Sequence, residues 1–117
     1  MDREELLKRT MDFSLRVLRL TRALPKTVEG RAIASQLVRC GTSVGANHRS
    51  ACRGRSKAEF IAKLGIAEEE ADEAAFWLEL VIRDGMLPER RVQSLLQEAN
   101  ELVAIFARSR KTARASK

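Results

Sequence analysis

Apolar residues recur at helical spacing along this chain, and three residues interrupt the pattern. No stretch alternates for long with the period of two that is typical of β-strands. The interruptions are Pro25, Gly54 and Gly85, residue types that end helices. They leave four segments with room for helices of about 20 residues, joined by connectors of a few residues. Short connectors favour antiparallel neighbours, so the sequence predicts an all-α fold, an antiparallel up-down-up-down four-helix bundle.

Each predicted helix contributes to the core one row of residues at helical spacing on a single face, which we call its seam. The seams are Leu6, Thr10, Phe13, Val17, Leu20 and Leu24; Ile33, Leu37, Cys40, Val44, Asn47 and Ala51; Phe60, Leu64, Ala67, Ala71, Ala74 and Leu78; and Val92, Leu96, Ala99, Val103 and Phe106. A buried amide costs about 1–3 kcal/mol unless it is hydrogen-bonded. We therefore expect Asn47 to bond across the core or near the helix end, with a functional role as the alternative. His48 is expected to be a packed or bridging polar group.

Local signals mark several helix ends. The second helix is expected to begin near Thr27. Ser56 and Glu59 have the spacing of a capping box at the start of the third helix. Pro88 suits the first turn of the fourth helix, because its missing N–H needs no partner there.

One domain accounts for a chain of 117 residues that is 44% hydrophobic. We expect residues 1–108 to form the bundle. Residues 109–117 have no apolar period, so they are expected to form a basic tail that frays or is disordered.

Two glycines lie one turn apart in the second helix, at Gly41 and Gly45. Glycine costs about 1 kcal/mol relative to alanine inside a helix, so the pair needs a structural reason. Close approach of a neighbouring helix supplies that reason. A phosphate-binding loop is the weaker alternative, because the strand–loop–helix context is missing.

The reactive side chains do not form a recognisable site. Cys40 and Cys52 are 12 residues apart on one predicted helix, which corresponds to about 18 Å of rise, whereas a disulfide needs Cα atoms within about 7 Å. One histidine and no CxxC spacing leave no metal-ligand pattern. We expect no cofactor, no metal and no enzyme active site. The short apolar runs and charged start predict a cytoplasmic protein with no membrane segment.

The net charge of +6 is unevenly distributed. Residues 1–60 carry 13 Lys/Arg against 6 Asp/Glu, residues 61–107 carry 4 against 10, and residues 108–117 carry 5 against none. The candidate nucleic-acid-binding residues are Arg39, Arg49, Arg53, Arg55, Lys57 and Lys63. The basic residues of the tail are expected to add to this surface: Arg108, Arg110, Lys111, Arg114 and Lys117. With aromatic content of 4%, binding would depend on phosphate contacts and be sensitive to salt. The alternative is a solvated surface or a source of salt bridges between subunits.

An apolar stripe with acidic neighbours is predicted on the outward face of the third helix. A monomeric bundle should be polar there, so we expect contact with another subunit, with glutamates meeting basic residues. The candidate interface residues are Leu15, Ile66, Glu69, Glu73, Trp77 and Leu80. The alternative is that Trp77 and Leu80 lie under a loop or at the bundle edge.

A block from Gln36 to Leu80 resembles the 23S rRNA intervening-sequence family of bacterial four-helix bundles. The residues that carry the resemblance are Gln36, Leu37 and Arg39; Ser43, Val44 and Asn47; Ser56, Glu59 and Phe60; and Glu69, Glu73, Trp77 and Leu78. Ser50 departs from the pattern, since many relatives have Glu there. The resemblance implies a left-handed bundle that assembles as a ring-like homopentamer. A related branch is the accessory variability determinant of diversity-generating retroelements, which implies RNA and a reverse transcriptase as partners. The family implies no catalytic residues.

Two functional hypotheses follow from the sequence. The first is a non-enzymatic, oligomeric, nucleic-acid-associated bundle, binding RNA, or RNA or DNA with a partner such as a reverse transcriptase. The second is a protein–protein scaffold or adaptor without a nucleic-acid role.

Overall fold

Four α-helices account for most of residues 1–116, the part of the chain that our computed structural model describes. They are α1 (Arg3–Arg22), α2 (Val28–Cys52), α3 (Lys57–Asp84) and α4 (Glu89–Ala115). No strand occurs within those residues, so the predicted all-α class and four helices are confirmed. The molecule is elongated, with principal extents of 50 × 21 × 20 Å.

Side-chain caps begin three of the helices. Asp2 accepts a hydrogen bond from the backbone of Glu5 at 2.8 Å, and Thr27 caps α2 as predicted. Ser56 accepts from the backbone N–H of Glu59 at 3.1 Å, which confirms the cap of α3. The Glu59 carboxylate accepts from the backbone of Arg55 at 2.6 Å, one residue before the reciprocal bond of an ideal capping box.

The α3–α4 connector depends on a glycine and a proline. Gly85 ends α3 with φ of +79°, a left-handed conformation that favours glycine. Pro88 is the N-cap of α4 rather than its first helical residue, and its side chain makes no capping hydrogen bond. The predicted helix start is therefore one residue early.

The prediction of an unstructured basic tail is wrong for residues 109–115, because α4 continues to Ala115. Two contacts to α3 hold this segment. The Arg110 guanidinium donates to Glu68 at 2.7 Å, and Lys57 donates to the backbone carbonyl of Ser116. Polar contacts thus hold this segment against α3, although its sequence lacks apolar residues at helical spacing. Lys117 lies outside the described residues.

Most of the predicted seam residues lie in a single buried core. Four pack against it while only partly buried: Leu6, Phe60, Leu96 and Val103. In α4 the neighbouring Leu95 and Leu102 are the buried leucines. The core position predicted for Asn47 is wrong, since this residue is half-buried and donates to the Ser43 carbonyl of its own helix at 2.9 Å. His48 takes the core position and is only 3% exposed.

The four helices do not pack equally. Helix α3 has extensive contacts with both α2 and α4, and α1 packs well only on α2. Contacts between α1 and α4 are sparse, and the backbones of diagonally opposite helices stay apart within the described chain. The position of α1 therefore depends mainly on its interface with α2.

That interface is close because Gly41 lacks a side chain. A Cβ atom at Gly41 would lie 2.7 Å from Cγ1 of Val17, whereas one at Gly45 would lie 3.3 Å from the Thr10 carbonyl oxygen. The Ser14 hydroxyl donates to the Gly41 carbonyl at 3.0 Å, so the contact is polar as well as apolar. The predicted close approach is confirmed, and Gly41 is the tighter point.

His48 is held by a chain of polar contacts beneath this interface. The Thr10 hydroxyl donates to the Leu7 carbonyl at 3.1 Å, which leaves its oxygen to accept from Nδ1 of His48 at 3.5 Å. Nε2 is then the unprotonated nitrogen, and it lies 3.6 Å from the Cys52 thiol. The imidazole also packs on Phe106, with ring centroids 5.6 Å apart. Burial, followed by the charge of Arg3, lowers the pKa of His48.

We expect Gly41→Ala to lower the free energy of unfolding by about 1–3 kcal/mol, because the new methyl group overlaps Val17. Gly65→Ala is the matched control, since its Cβ would meet only the Arg110 side chain at an ordinary 3.7 Å. That control should gain up to about 1 kcal/mol from helix propensity. Urea unfolding followed by circular dichroism measures both. Equal stabilisation of the two variants would contradict the close α1–α2 contact.

We expect acid to destabilise the protein partly through His48. Above about pH 6.5 the ring is neutral in both states. Below that pH the unfolded chain binds a proton that the folded chain, with its lowered pKa, does not. The free energy of unfolding therefore falls as pH falls from about 6.5 to the folded-state pKa, by at most about 1.4 kcal/mol per pH unit. The measurement is urea unfolding at several pH values for the wild type and His48→Gln. The variant should show a shallower slope, and parallel slopes would exclude the effect.

Candidate nucleic-acid interface

One end of the bundle collects positive charge from all four helices. The guanidinium of Arg3, in the first turn of α1, donates to the Cys52 carbonyl at the end of α2 at 2.7 Å. Lys57, at the start of α3, bonds the Ser116 carbonyl beyond α4. We call this surface the basic end and define it by Arg3, Arg49, Arg53, Arg55, Lys57, Arg108, Lys111 and Arg114.

The α2–α3 connector shapes the centre of the basic end. The backbone N–H of Gly54 bonds the Ala51 carbonyl at 3.1 Å, which turns the chain directly after α2. Arg49, Arg53 and Arg55 then line an open depression of about 520 Å³. None of these three side chains forms an ion pair within residues 1–116. The depression contains one carboxylate, that of Glu59, which is bound to the backbone of Arg55.

Two predicted nucleic-acid residues lie elsewhere. Arg39 is about 15 Å of helical rise from Arg49, and it pairs with Glu70 at 3.1 Å and also with Glu73, both on α3. Burial opposes protonated Arg39, but the charges of Glu73 and Glu70 prevail and raise its pKa. Its charge is therefore balanced within the chain. Lys63 is half-buried on α3 and does not line the depression.

The structure adds Arg3 to the predicted surface and places three of the predicted tail residues there. Arg3 belongs to this surface because α1 begins beside the end of α2. The residues of α4 belong to this surface because the helix continues through them. They are Arg108, Lys111 and Arg114. The sequence did not predict that continuation, because this segment lacks apolar residues at helical spacing.

The candidate interface residues of α3 divide into two groups. Ile66 and Glu69 are exposed, as is Leu15 on α1. Trp77 and Leu80 are half-buried against the core. The outward aromatic residue is Phe76, 56% exposed, whose ring meets that of Trp77 edge-on at 5.1 Å.

Glu73, also a candidate interface residue, is half-buried and engaged within the chain. It accepts hydrogen bonds from Arg39 and from Nε1 of Trp77, the latter at 3.0 Å. The predicted glutamate–arginine contact thus has a partner inside the subunit. The exposed residues of α3 follow the helical spacing 62-66-69-72-76-79-83, which passes through Phe76 rather than Trp77.

An apolar groove runs between α1 and α2 on another side of the molecule. Its volume is about 560 Å³, and Lys8 and Arg49 supply its charge. The apolar side chains that line it are Leu7, Met11, Leu15 and Leu18. Met11 is 53% exposed, although it belongs to no predicted interface.

The contact between Cys52 and His48 has the residue types of a nucleophile and its base. Transfer of the thiol proton would place an imidazolium where burial and Arg3 lower the pKa of His48. It would also place a thiolate at the C-terminal end of α2, where the helix dipole is unfavourable to an anion. The lowered pKa of His48 favours its neutral imidazole. Burial raises the pKa of the second thiol, Cys40, to about 11.

Residues 1–116 contain no group of three or more His, Cys, Asp or Glu placed to hold a metal ion. The helices of that part of the chain are all too short or too polar to cross a membrane.

The sequence and fold both resemble known proteins. Residues 3–108 match the family described as 23S rRNA-intervening sequence protein. A crystal structure of a protein of unknown function from the S23 ribosomal protein family of Bacteroides thetaiotaomicron is 32% identical, with a TM-score of 0.84. That alignment covers 90% of this chain and 97% of the other. No match was found among curated proteins. Because the family match extends over nearly the whole bundle and agrees with the fold, the chain belongs to the 23S rRNA-intervening sequence protein family.

Proposed function

We propose that the protein is a non-enzymatic, oligomeric bundle whose basic end binds the phosphate backbone of nucleic acid. The observation that carries this proposal is the set of arginines at the α2–α3 connector that lack acidic partners among the described residues. Other arginines of the bundle, such as Arg9, Arg39 and Arg110, are matched by glutamates on a neighbouring helix. The family description, which refers to 23S rRNA, supports RNA as the nucleic acid.

The chemistry of the basic end suits phosphates better than bases. Guanidinium groups bind phosphate oxygens with two parallel hydrogen bonds. Stacking on bases requires exposed aromatic rings, and the exposed ring identified here, Phe76, lies on α3 among acidic residues. Binding should therefore show little sequence preference and depend strongly on salt.

We infer that the helices alternate in direction, up-down-up-down. Arg9 and Arg16 of α1 pair with Glu98 and Ser94 of α4, so the numbering rises along one helix as it falls along the other. The α1–α2 contacts follow the same rule, since Thr10 meets His48 and the later Ser14 meets Gly41.

We propose further that the subunits form a ring, with five members by the family resemblance. The α1–α2 groove and the outward face of α3 are two different surfaces of one subunit. A contact between unlike surfaces is heterologous, and such contacts generate rings when the rotation closes. Charge also matches, because Arg49, which forms no ion pair within residues 1–116, flanks the groove while Glu69 accompanies Ile66 and Phe76 on α3. A ring would repeat the basic end in every subunit and so strengthen weak phosphate contacts through avidity.

A scaffold or adaptor remains the second candidate, favoured by the apolar groove, which a protein partner could occupy in place of a second copy. A reverse transcriptase as protein partner stays a prediction from the family resemblance. Neither candidate assigns the protein a reaction.

We expect wild-type protein to bind structured RNA with an affinity that falls steeply as salt rises. Replacing Arg49, Arg53 and Arg55 with Gln should flatten the plot of log affinity against log salt, since each lost phosphate contact removes about 0.7–0.9 from the slope. The matched control replaces Lys26, Arg31 and Arg83 with Gln, exposed cations outside the basic end. It removes the same charge and should retain more of the slope. Fluorescence anisotropy across a salt series measures this, and absence of RNA binding at low salt would leave the adaptor candidate.

We expect the protein to sediment as a multimer, and Phe76→Glu or Leu15→Glu to dissociate it by placing a carboxylate in the proposed contact. Trp77→Ala should act mainly on the free energy of unfolding, because its ring packs against the core and bonds Glu73. Sedimentation equilibrium with parallel urea unfolding distinguishes the two effects. A wild type that is monomeric at concentrations on the order of tens of micromolar would contradict the proposed ring.

A further inference from the structure

A second group of arginines lines a cleft between α1 and α4, in the half of the bundle away from the basic end. The cleft has a volume of about 310 Å³, near the lower end of the roughly 300–1,000 Å³ typical of small-molecule sites. Arg16 and Arg19 approach it from α1, and Arg91 approaches it from the first turn of α4. Three positive charges thus surround one concave surface.

These charges differ from those elsewhere along the same helix pair. Arg9 also lies between α1 and α4, where Glu98 at 2.7 Å and Glu101 at 2.6 Å compensate its charge. Within residues 1–116, by contrast, no ion pair involves an arginine of the cleft. The acid one turn before Arg16 is Asp12, and it is bound to Lys8. The repulsion among the three guanidinium groups is therefore left for a ligand to relieve.

Two further features favour an anion in this cleft. Arg16 donates to the Ser94 hydroxyl oxygen at 2.6 Å, which fixes the guanidinium and leaves the hydroxyl proton available to an acceptor. The N-cap of α4 is Pro88, which offers no capping acceptor. The positive end of the α4 dipole therefore lies beside the cleft without a side-chain cap. One acid, Glu89, lies in that first turn.

The lining of the cleft also contains apolar side chains that exclude water from one side. Leu20, Leu87 and Leu95 line it and are at most 9% exposed. Hydrogen bonds to charged groups are stronger where water is excluded. The cleft thus combines charge, a hydroxyl donor and an apolar wall.

We propose that this cleft binds the phosphate group of inorganic phosphate or a small phosphomonoester. Planar guanidinium groups match phosphate oxygens with paired hydrogen bonds, and a dianion offsets most of the local charge. The concave shape suits a terminal phosphate, which can enter the cleft, better than an internal phosphodiester. The inference is independent of RNA binding at the basic end.

The test is titration calorimetry with inorganic phosphate and with glycerol phosphate at constant ionic strength. Arg91→Gln and Arg16→Gln should each weaken binding at least about tenfold, because each removes a charge-assisted pair of hydrogen bonds. Arg31→Gln on α2 and Arg83→Gln on α3 remove the same charge from exposed residues outside the cleft, and each should change the affinity less than about twofold. Circular dichroism verifies that all four variants keep their helicity.

The pH dependence supplies a second readout. A phosphomonoester gains its second charge with a pKa of about 6, whereas arginine does not titrate in this range. Affinity for glycerol phosphate should therefore rise between about pH 5 and pH 7, while affinity for sulfate stays flat. Absence of phosphate binding at low ionic strength would overturn the proposal. So would equal losses in the cleft and control variants, which indicate a general charge effect. If the protein does not bind RNA but phosphate binding shows this pattern, the results support the phosphate site in the cleft and contradict the proposed nucleic-acid function.

Discussion

The close contact between α1 and α2 at Gly41 influences the position of each surface to which we assign a proposed function. Helix α1 has few contacts with α4, so its position depends on how deeply Val17 approaches the backbone of α2. That position brings Arg3 to the carbonyl of Cys52 and closes the basic end. It also sets the width of the apolar groove and aligns α1 with α4 along the arginine cleft. One missing side chain therefore influences three separate surfaces.

Charge in this bundle has two distinct uses. Arg9, Arg39 and Arg110 each bind glutamate on a neighbouring helix, and these pairs add polar links between adjacent helices. For Arg9 the hydrogen bond to Glu98 is the main cause of a raised pKa, so the guanidinium stays charged at any physiological pH. The arginines at the connector and in the cleft lack such partners within the described chain. The net charge of the chain does not distinguish paired arginines from unpaired ones. The position of each glutamate in the fold determines which arginines are paired.

Local signals in the sequence predicted the helices and their ends well, because caps and breaks depend on residues only a few positions apart. It was harder to predict which of two adjacent residues is buried. His48 rather than Asn47 is buried, and Phe76 is more exposed than Trp77. A step of 100° places adjacent residues near the edge of a buried face, and the partner helix decides which one turns inward. The contacts that the sequence did not predict were mainly ion pairs between residues far apart in the chain. The partners of Arg39 lie 31 and 34 residues away on α3, so no local pattern identifies its charge as compensated.

The proposed ring would determine which surfaces of each subunit remain free to bind a ligand. In the proposed ring, each subunit would use its α1–α2 groove on one neighbour and the outward face of α3 on the other. Both surfaces lie along the sides of the elongated bundle, and the groove meets the basic end only at Ala46 and Arg49, which line both the groove and the depression. Cyclic symmetry repeats every subunit in the same orientation about one axis. All basic ends would then take equivalent positions around that axis and could contact successive phosphates of one nucleic acid. The cleft between α1 and α4 uses neither surface and would remain open to a small anion in each subunit.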